Sequence, residues 1–250
     1  MNIPFHRPIL PKSLDEIYRD SIKNGWLTTG AQVRNFEKKL TEYLLYKKVV
    51  GLNSCTAGLH LALAAKGFKK GYKFLVPTLT FVSTVECGEY VDMEPVLVDC
   101  AKNGFLFDLN YIEEQIKKDH KIKAIIPMHY GGELCDMKHI ISIAEKYGVF
   151  VLEDAAHALE SSVNYNKDGY SDHAIAFSFY ANKNITSAGE GGALATNNEL
   201  LANKVKKLSL HGITKDGWDR FKDFGKWEYD ITELGFKYNM TDISASFAYL

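Results

Sequence analysis

Short apolar, β-branched runs alternate with stretches whose apolar residues recur every three or four positions, and this alternation holds over most of the chain. Parallel strands cannot be joined by a tight turn, and an amphipathic helix is the usual crossover, so the pattern specifies a mainly parallel sheet covered by helices. Strands are predicted at Lys48–Leu52, Lys73–Pro77, Pro95–Asp99, Ile122–Met128, Val149–Glu153, Ala174–Phe179 and Gly192–Thr196. Several are apolar throughout, as strands buried on both faces must be. Helical spacing is found at Val33–Leu45, Thr56–Ala65, Met137–Tyr147 and Leu200–Leu210. The expected fold class is α/β, with a mainly parallel seven-stranded sheet flanked by helices.

The 250 residues carry no fixed-period repeat, no low-complexity tract and no Pro/Gly/Ser linker, so one domain is expected over residues 1–250. Met240–Leu250 opens on a good cap, Thr241-Asp242, and then runs as an apolar helix to Leu250 with no capping residue. The expectation is that the polypeptide is cut in mid-helix.

Thirty Lys+Arg against thirty-one Asp+Glu leave a formal charge of −1, without the basic excess that draws phosphate backbones or anionic lipid, so nucleic acid and membrane surfaces are not expected partners. No apolar run reaches the roughly 20 residues of a membrane span, and the amino end is proline-containing and polar, so the chain is expected in the cytoplasm. Cys55, Cys87, Cys100 and Cys135 form neither a CxxC pair nor a dense disulfide framework. They are read as buried or incidental thiols, and no metal is expected.

In open α/β sheets ligands sit at the carboxyl ends of the strands, and four strand ends carry candidate chemistry. Val49 to Gly58 turns from strand into helix through Asn53, Ser54, Cys55, Thr56 and Ala57, so free N–H groups and two hydroxyls meet there. A phosphate can be held at such a turn, although taken alone a capped strand-to-helix turn is the commoner explanation. Val149 to His157 runs an apolar strand into Glu153, Asp154 and His157. A carboxylate there costs desolvation unless it meets a cation or donor, so Asp154 requires a fixed partner; a protonated pyridine ring would serve, as would a helix end or an ion pair. Ala174 to Asn184 places Lys183 just past a buried strand, ahead of Gly189-Glu190-Gly191-Gly192. In a desolvated pocket such an amine is a nucleophile able to form a Schiff base, whereas most lysines are solvated surface groups. Finally, Pro77 to Thr84 sets Phe81 at the start of a helix, where its ring can stack on a flat cofactor or pack into the core.

In this order and combination the segments resemble the PLP-dependent nucleotide-sugar aminotransferases named after the DegT and StrS enzymes, a branch of the fold type I aspartate-aminotransferase superfamily. The likeness runs from Trp26 to Tyr249. It is carried by Gly25-Trp26-Leu27-Thr28-Thr29-Gly30, Ser54-Cys55-Thr56-Ala57, Pro77 to Thr84, His129-Tyr130-Gly131, Glu153-Asp154-Ala155-Ala156-His157, Ser178 to Gly192, and His211-Gly212. The resemblance implies pyridoxal 5'-phosphate as cofactor, with Lys183 as the lysine that joins it and shuttles a proton. It makes Asp154 the partner of the ring nitrogen and Phe81 the stacking ring. It places His157 near the ring hydroxyl and Cys55, Thr56, Ala57 and Ser178 around the phosphate. Thr29 and His129 fall in its substrate-binding landmarks. A branch of the family that dehydrates its substrate has histidine where Lys183 stands, so amino transfer is implied here: from an amino acid donor, L-glutamate by analogy, to a nucleotide-linked keto-deoxysugar.

One motif departs. Relatives carry Gly-x-Asn-x-Arg where this chain reads Gly235-Phe236-Lys237-Tyr238-Asn239, and their asparagine reaches the cofactor phosphate of the neighbouring subunit. Lys237 could do so as a point charge. A homodimer with shared sites and a small carboxyl-terminal domain beyond residue 250 are implied only by the same family resemblance. Two other readings are a truncated or regulatory cofactor binder without turnover, and a generic α/β nucleotide binder; the latter lacks GxGxxG after the first strand and any GxxxxGK[ST].

Overall fold

In a computed structural model of the chain the described residues are 14–23, 25–161, 172–214 and 229–248. Seven strands, β1 (Lys48–Leu52), β2 (Lys73–Pro77), β3 (Glu94–Val98), β4 (Ile122–Ile125), β5 (Phe150–Asp154), β6 (His173–Ser178) and β7 (Gly192–Thr196), form one sheet in the order β1-β7-β6-β5-β4-β2-β3. β7 pairs antiparallel with both β1 and β6, and the other pairings are parallel. The expected α/β class, strand number and mainly parallel sense are therefore observed. Each predicted strand is found within a residue or so except β4, which ends at Ile125; Pro127 has no N–H for the ladder, and only an isolated bridge, Met128 to Asp154, continues it.

The helices are α1 (Leu14–Lys23), α2 (Ala31–Leu44), α3 (Cys55–Lys66), α4 (Ser83–Glu89), α5 (Leu109–Lys118), α6 (Met137–Tyr147), α7 (Glu199–Leu208) and α8 (Asp242–Ala248). Their ends obey local chemistry. Ser54, Asp108, Asp136 and Asn198 cap α3, α5, α6 and α7 through side-chain oxygens, and Gly67 and Gly148 close α3 and α6 at φ of 74° and 64°, conformations that glycine adopts without strain. α3 is buried nearly all round, packing with β1, β6 and β7 and with α7, which fits its lack of a polar stripe. α2 and α8 cover the opposite face through Val33, Phe36, Leu40 and Ala245, and α5 and α6 cover β2, β4 and β5 through Ile112, Ile140 and Ile143. The helix read at Met240–Leu250 is shorter, Asp242–Ala248, and residues 249–250 lie outside the described residues. No helix among the described residues is long and apolar enough to cross a membrane.

Candidate active site

Because β1, β2, β4, β5 and β6 share one direction, the chain leaves all five at a single edge of the sheet, where the amino end of antiparallel β7 also lies. A cleft of about 570 Å³ opens at that edge, lined by Ser54 and Thr56 beyond β1, Phe81 beyond β2, Asp154 at the end of β5, and Ser178 and Lys183 beyond β6. The four strand ends chosen from sequence thus meet in one place. Gly192 is required by the crowding: a Cβ there would sit 2.1 Å from the carbonyl carbon of Ser54.

Asp154 is 2% exposed and its need for a partner is met within the chain. Thr84 Oγ1 donates to Oδ2 at 2.7 Å and the Ala156 N–H donates to Oδ1 at 3.1 Å. The hydroxyls of Thr80 and Thr84 are 2.6 Å apart, extending the network toward the cleft. Thr84, itself fully buried, was not singled out from sequence, although the demand that Asp154 have a fixed partner was the signal for it. Cys55 Sγ lies 3.8 Å from Asp154 Oδ1. Burial first, and then the Asp154 charge, push its thiol well above the usual range against the opposing pull of Lys183, so it stays protonated.

Lys183 follows β6 in a tight turn, its N–H donating to Tyr180 O at 2.9 Å. It lines the cleft and also a neighbouring hollow of about 410 Å³ that shares Ala156, His157, Ser178 and Asn182, so its side chain stands on the wall between the two. His157 is also in that wall. Its Nδ1 accepts the Gly131 N–H at 3.3 Å, and burial first, then the Lys183 charge, hold its ring below the usual histidine range, with Asp154 acting in the other direction. Phe81 is 69% exposed on the cleft, so the core-packing alternative for this ring is excluded.

At the start of α3, Ser54 Oγ accepts the Ala57 N–H at 3.1 Å, while the N–H groups of Cys55 and Thr56 have no acceptor within the helix. Cys55, Thr56 and Ser178 reach the cleft as expected. Ala57 does not: its amide is used by the Ser54 cap and its side chain is buried in the core.

Two further expectations, for His129 and Thr29, are corrected by placement. His129 is fully buried, with Nε2 2.6 Å from Glu153 Oε2 and Nδ1 accepting the Cys135 N–H at 3.2 Å, so it has no nitrogen to offer a substrate; its neighbour Tyr130 lines the cleft instead. Thr29 donates to Met240 O at 2.6 Å and accepts from Asn239 Nδ2 at 2.8 Å, beside a small hollow separate from the cleft. Lys237 is exposed, its ammonium 2.7 Å from Asn239 Oδ1, and is not in the wall of this chain's own cleft. A hollow of about 430 Å³ beside α6 is lined by Glu113, Asp136 and Lys146 and holds none of the expected site residues.

A model of the DegT/DnrJ/EryC1/StrS aminotransferase family matches residues 9–249. The chain is 42% identical over 243 residues to an uncharacterized protein of Methanocaldococcus jannaschii, covering 97% of this chain and 62% of that protein. It is 39% identical over 244 residues to the spore coat polysaccharide biosynthesis protein SpsC of Bacillus subtilis, covering 98% and 62%. Among solved structures, Spr1654 of Streptococcus pneumoniae, described as a sugar aminotransferase and solved in its PMP form, superposes with a TM-score of 0.87 at 31% identity, covering 99% of this chain and 66% of that one. The chain spans about three fifths of the length of the curated relatives it matches.

Proposed function

The chain belongs to the DegT/DnrJ/EryC1/StrS aminotransferase family, and on that premise we propose that it transfers an amino group from an amino acid, L-glutamate by preference, to the keto group of a nucleotide-linked deoxysugar for glycan synthesis. Its cofactor in this reading is pyridoxal 5'-phosphate. The observation that carries the proposal is that Lys183 and Asp154, 29 residues apart in sequence, wall the same cleft together with the exposed ring of Phe81.

The residues present suit that group. A buried carboxylate held by Thr84 and Ala156 can face a protonated ring nitrogen, Phe81 offers a ring for stacking, and the first-turn amides of Cys55 and Thr56, which have no acceptor within α3, suit a phosphate together with the Ser178 hydroxyl. When bound, pyridoxal phosphate supplies an aldehyde and an electron-withdrawing ring that stabilises charge on the substrate carbon. Asp154 would hold a proton on the ring nitrogen. Lys183, in the wall of the cleft, would supply the amine that holds the cofactor's aldehyde end and, when free, the base that moves a proton at its Nζ. Its amine would be open to both hollows, whose linings it shares. In the same reading two copies act together in the cytoplasm, each lending Lys237 to the other's phosphate site.

Borohydride reduction of the chain loaded with pyridoxal phosphate, followed by peptide mapping, is expected to tag Lys183; a tag on another lysine overturns the assignment. Release of 2-oxoglutarate from glutamate with a panel of nucleotide keto-sugars identifies the acceptor and separates turnover from cofactor binding alone.

A further inference from the structure

Behind the cleft, on the other face of β5, Glu153 is completely buried. Consecutive strand residues point to opposite faces, so Asp154 turns toward α3 and α4 while Glu153 turns away from them. Both of its oxygens are engaged by imidazoles: Oε2 lies 2.6 Å from His129 Nε2, and Oε1 is in short contact with His173 Nε2. Those two rings are 0% and 1% exposed. A carboxylate buried at this depth persists only when its lone pairs are met, so the three side chains stand as a unit. Because His129 Nδ1 accepts the Cys135 N–H, its proton sits on Nε2 and is donated to Glu153.

The backbone of His129 leads from this unit to the site. Its N–H donates to the Asp154 carbonyl at 3.1 Å, and the Asp154 N–H donates back to Pro127 O at 2.8 Å. Two residues on, Gly131 takes φ of 63°, open to glycine without strain, and its N–H donates to His157 Nδ1. The Glu153 carboxylate therefore fixes the His129 ring, the ring fixes the 129–132 turn, and the turn holds both the main chain of Asp154 and the ring of His157.

We propose that Glu153, acting through His129, is a positioning residue that sets the main chain of Asp154 and the ring of His157 at the catalytic cleft, with His173 locking its second oxygen. Glu153 touches neither cofactor nor substrate. The inference rests on the proposed function only for the parts that Asp154 and His157 play there.

The test reads His157 in the protein without cofactor, so its failure is distinct from failure of the function. His157 is faced by the charges of Lys183 and Asp154 and by the ring of Tyr130. An N–H donated to Nδ1 favours the neutral ring, so losing it should move the His157 titration, followed by NMR, up toward the ordinary histidine value. Glu153→Gln, which keeps the volume but leaves one imidazole facing an amide N–H, is expected to give that upward move with near-UV circular dichroism unchanged. In the loaded enzyme the same variant should lower kcat on the order of 10- to 100-fold, with KM for the amino donor within about threefold. An unmoved His157 titration in folded Glu153→Gln overturns the proposal. Should that variant not fold, His129→Gln and His129→Leu decide: glutamine retains a donor for Glu153 and should leave His157 near its original titration, leucine should shift it, and identical titrations in the two overturn the proposal.

Discussion

The carboxylate of Asp242 accepts the N–H of Gly30 at 2.7 Å, from a residue 212 positions away. The same side chain takes the N–H groups of Val33 at 3.0 Å and Gln32 at 3.2 Å, so it satisfies the first turn of α2 while standing in α8. Gly30 itself offers no cap, and a Cβ on it would meet both Trp26 and Asp242 within 2.6 Å. The Gly25 to Gly30 segment is thus a docking point for α8.

Removing that carboxylate should be costly. Asp242→Ala leaves three amides without an acceptor in a buried setting and is expected to destabilise by about 2 kcal/mol or more, with Asp242→Asn losing less because its carbonyl oxygen still accepts. Urea unfolding midpoints at constant m-value check the ranking.

Thr84 is the sole side-chain hydroxyl found on Asp154 among the described residues. Thr84→Val keeps the shape but strips a donor from a buried charge, and an expected loss of about 1–3 kcal/mol at neutral pH follows. Thr84→Ser retains the hydroxyl and should recover most of it. Equal losses in the two variants would point to packing rather than the hydrogen bond.

Phe81 separates stability from binding. At 69% exposure its removal should leave folding within about 0.5 kcal/mol. Loss of a stacking ring should weaken pyridoxal phosphate by about 0.5–1.5 kcal/mol, a two- to twelvefold rise in Kd measured by fluorescence quenching.

Burial alone would raise the Glu153 carboxyl, but the facing imidazoles of His173 and His129 outweigh it and hold the group below its usual value of 4.5. The unfolded chain therefore takes up the proton first as pH falls. The stability contributed by the ionised group is whole above about 4.5 and drains away below it, as pH approaches the depressed folded value. The stability gap between wild type and Glu153→Gln is expected to be widest near neutrality and to narrow from pH 5 toward pH 3, about the acid limb where the carboxylate is lost. Chemical denaturation at a series of pH values measures that gap; a constant gap contradicts the linkage.

Local chemistry was legible from the residues alone. The seven strands and the four strand ends follow from periodicity and apolar runs, which act within a few positions. Direction also mattered: once the strands were read as mainly parallel, Ser54, Phe81, Asp154 and Lys183 had to fall at a common edge. Partner choice was not legible. That Asp154 is met by Thr84, 70 residues earlier, and that His129 turns inward to Glu153 while Tyr130 meets the cleft, depend on which face each side chain takes and how closely the elements pack. Sequence fixes the needs of a buried charge or an open helix end within a few residues of it; only the packed sheet brings a distant donor to within 3 Å and so decides which residue answers.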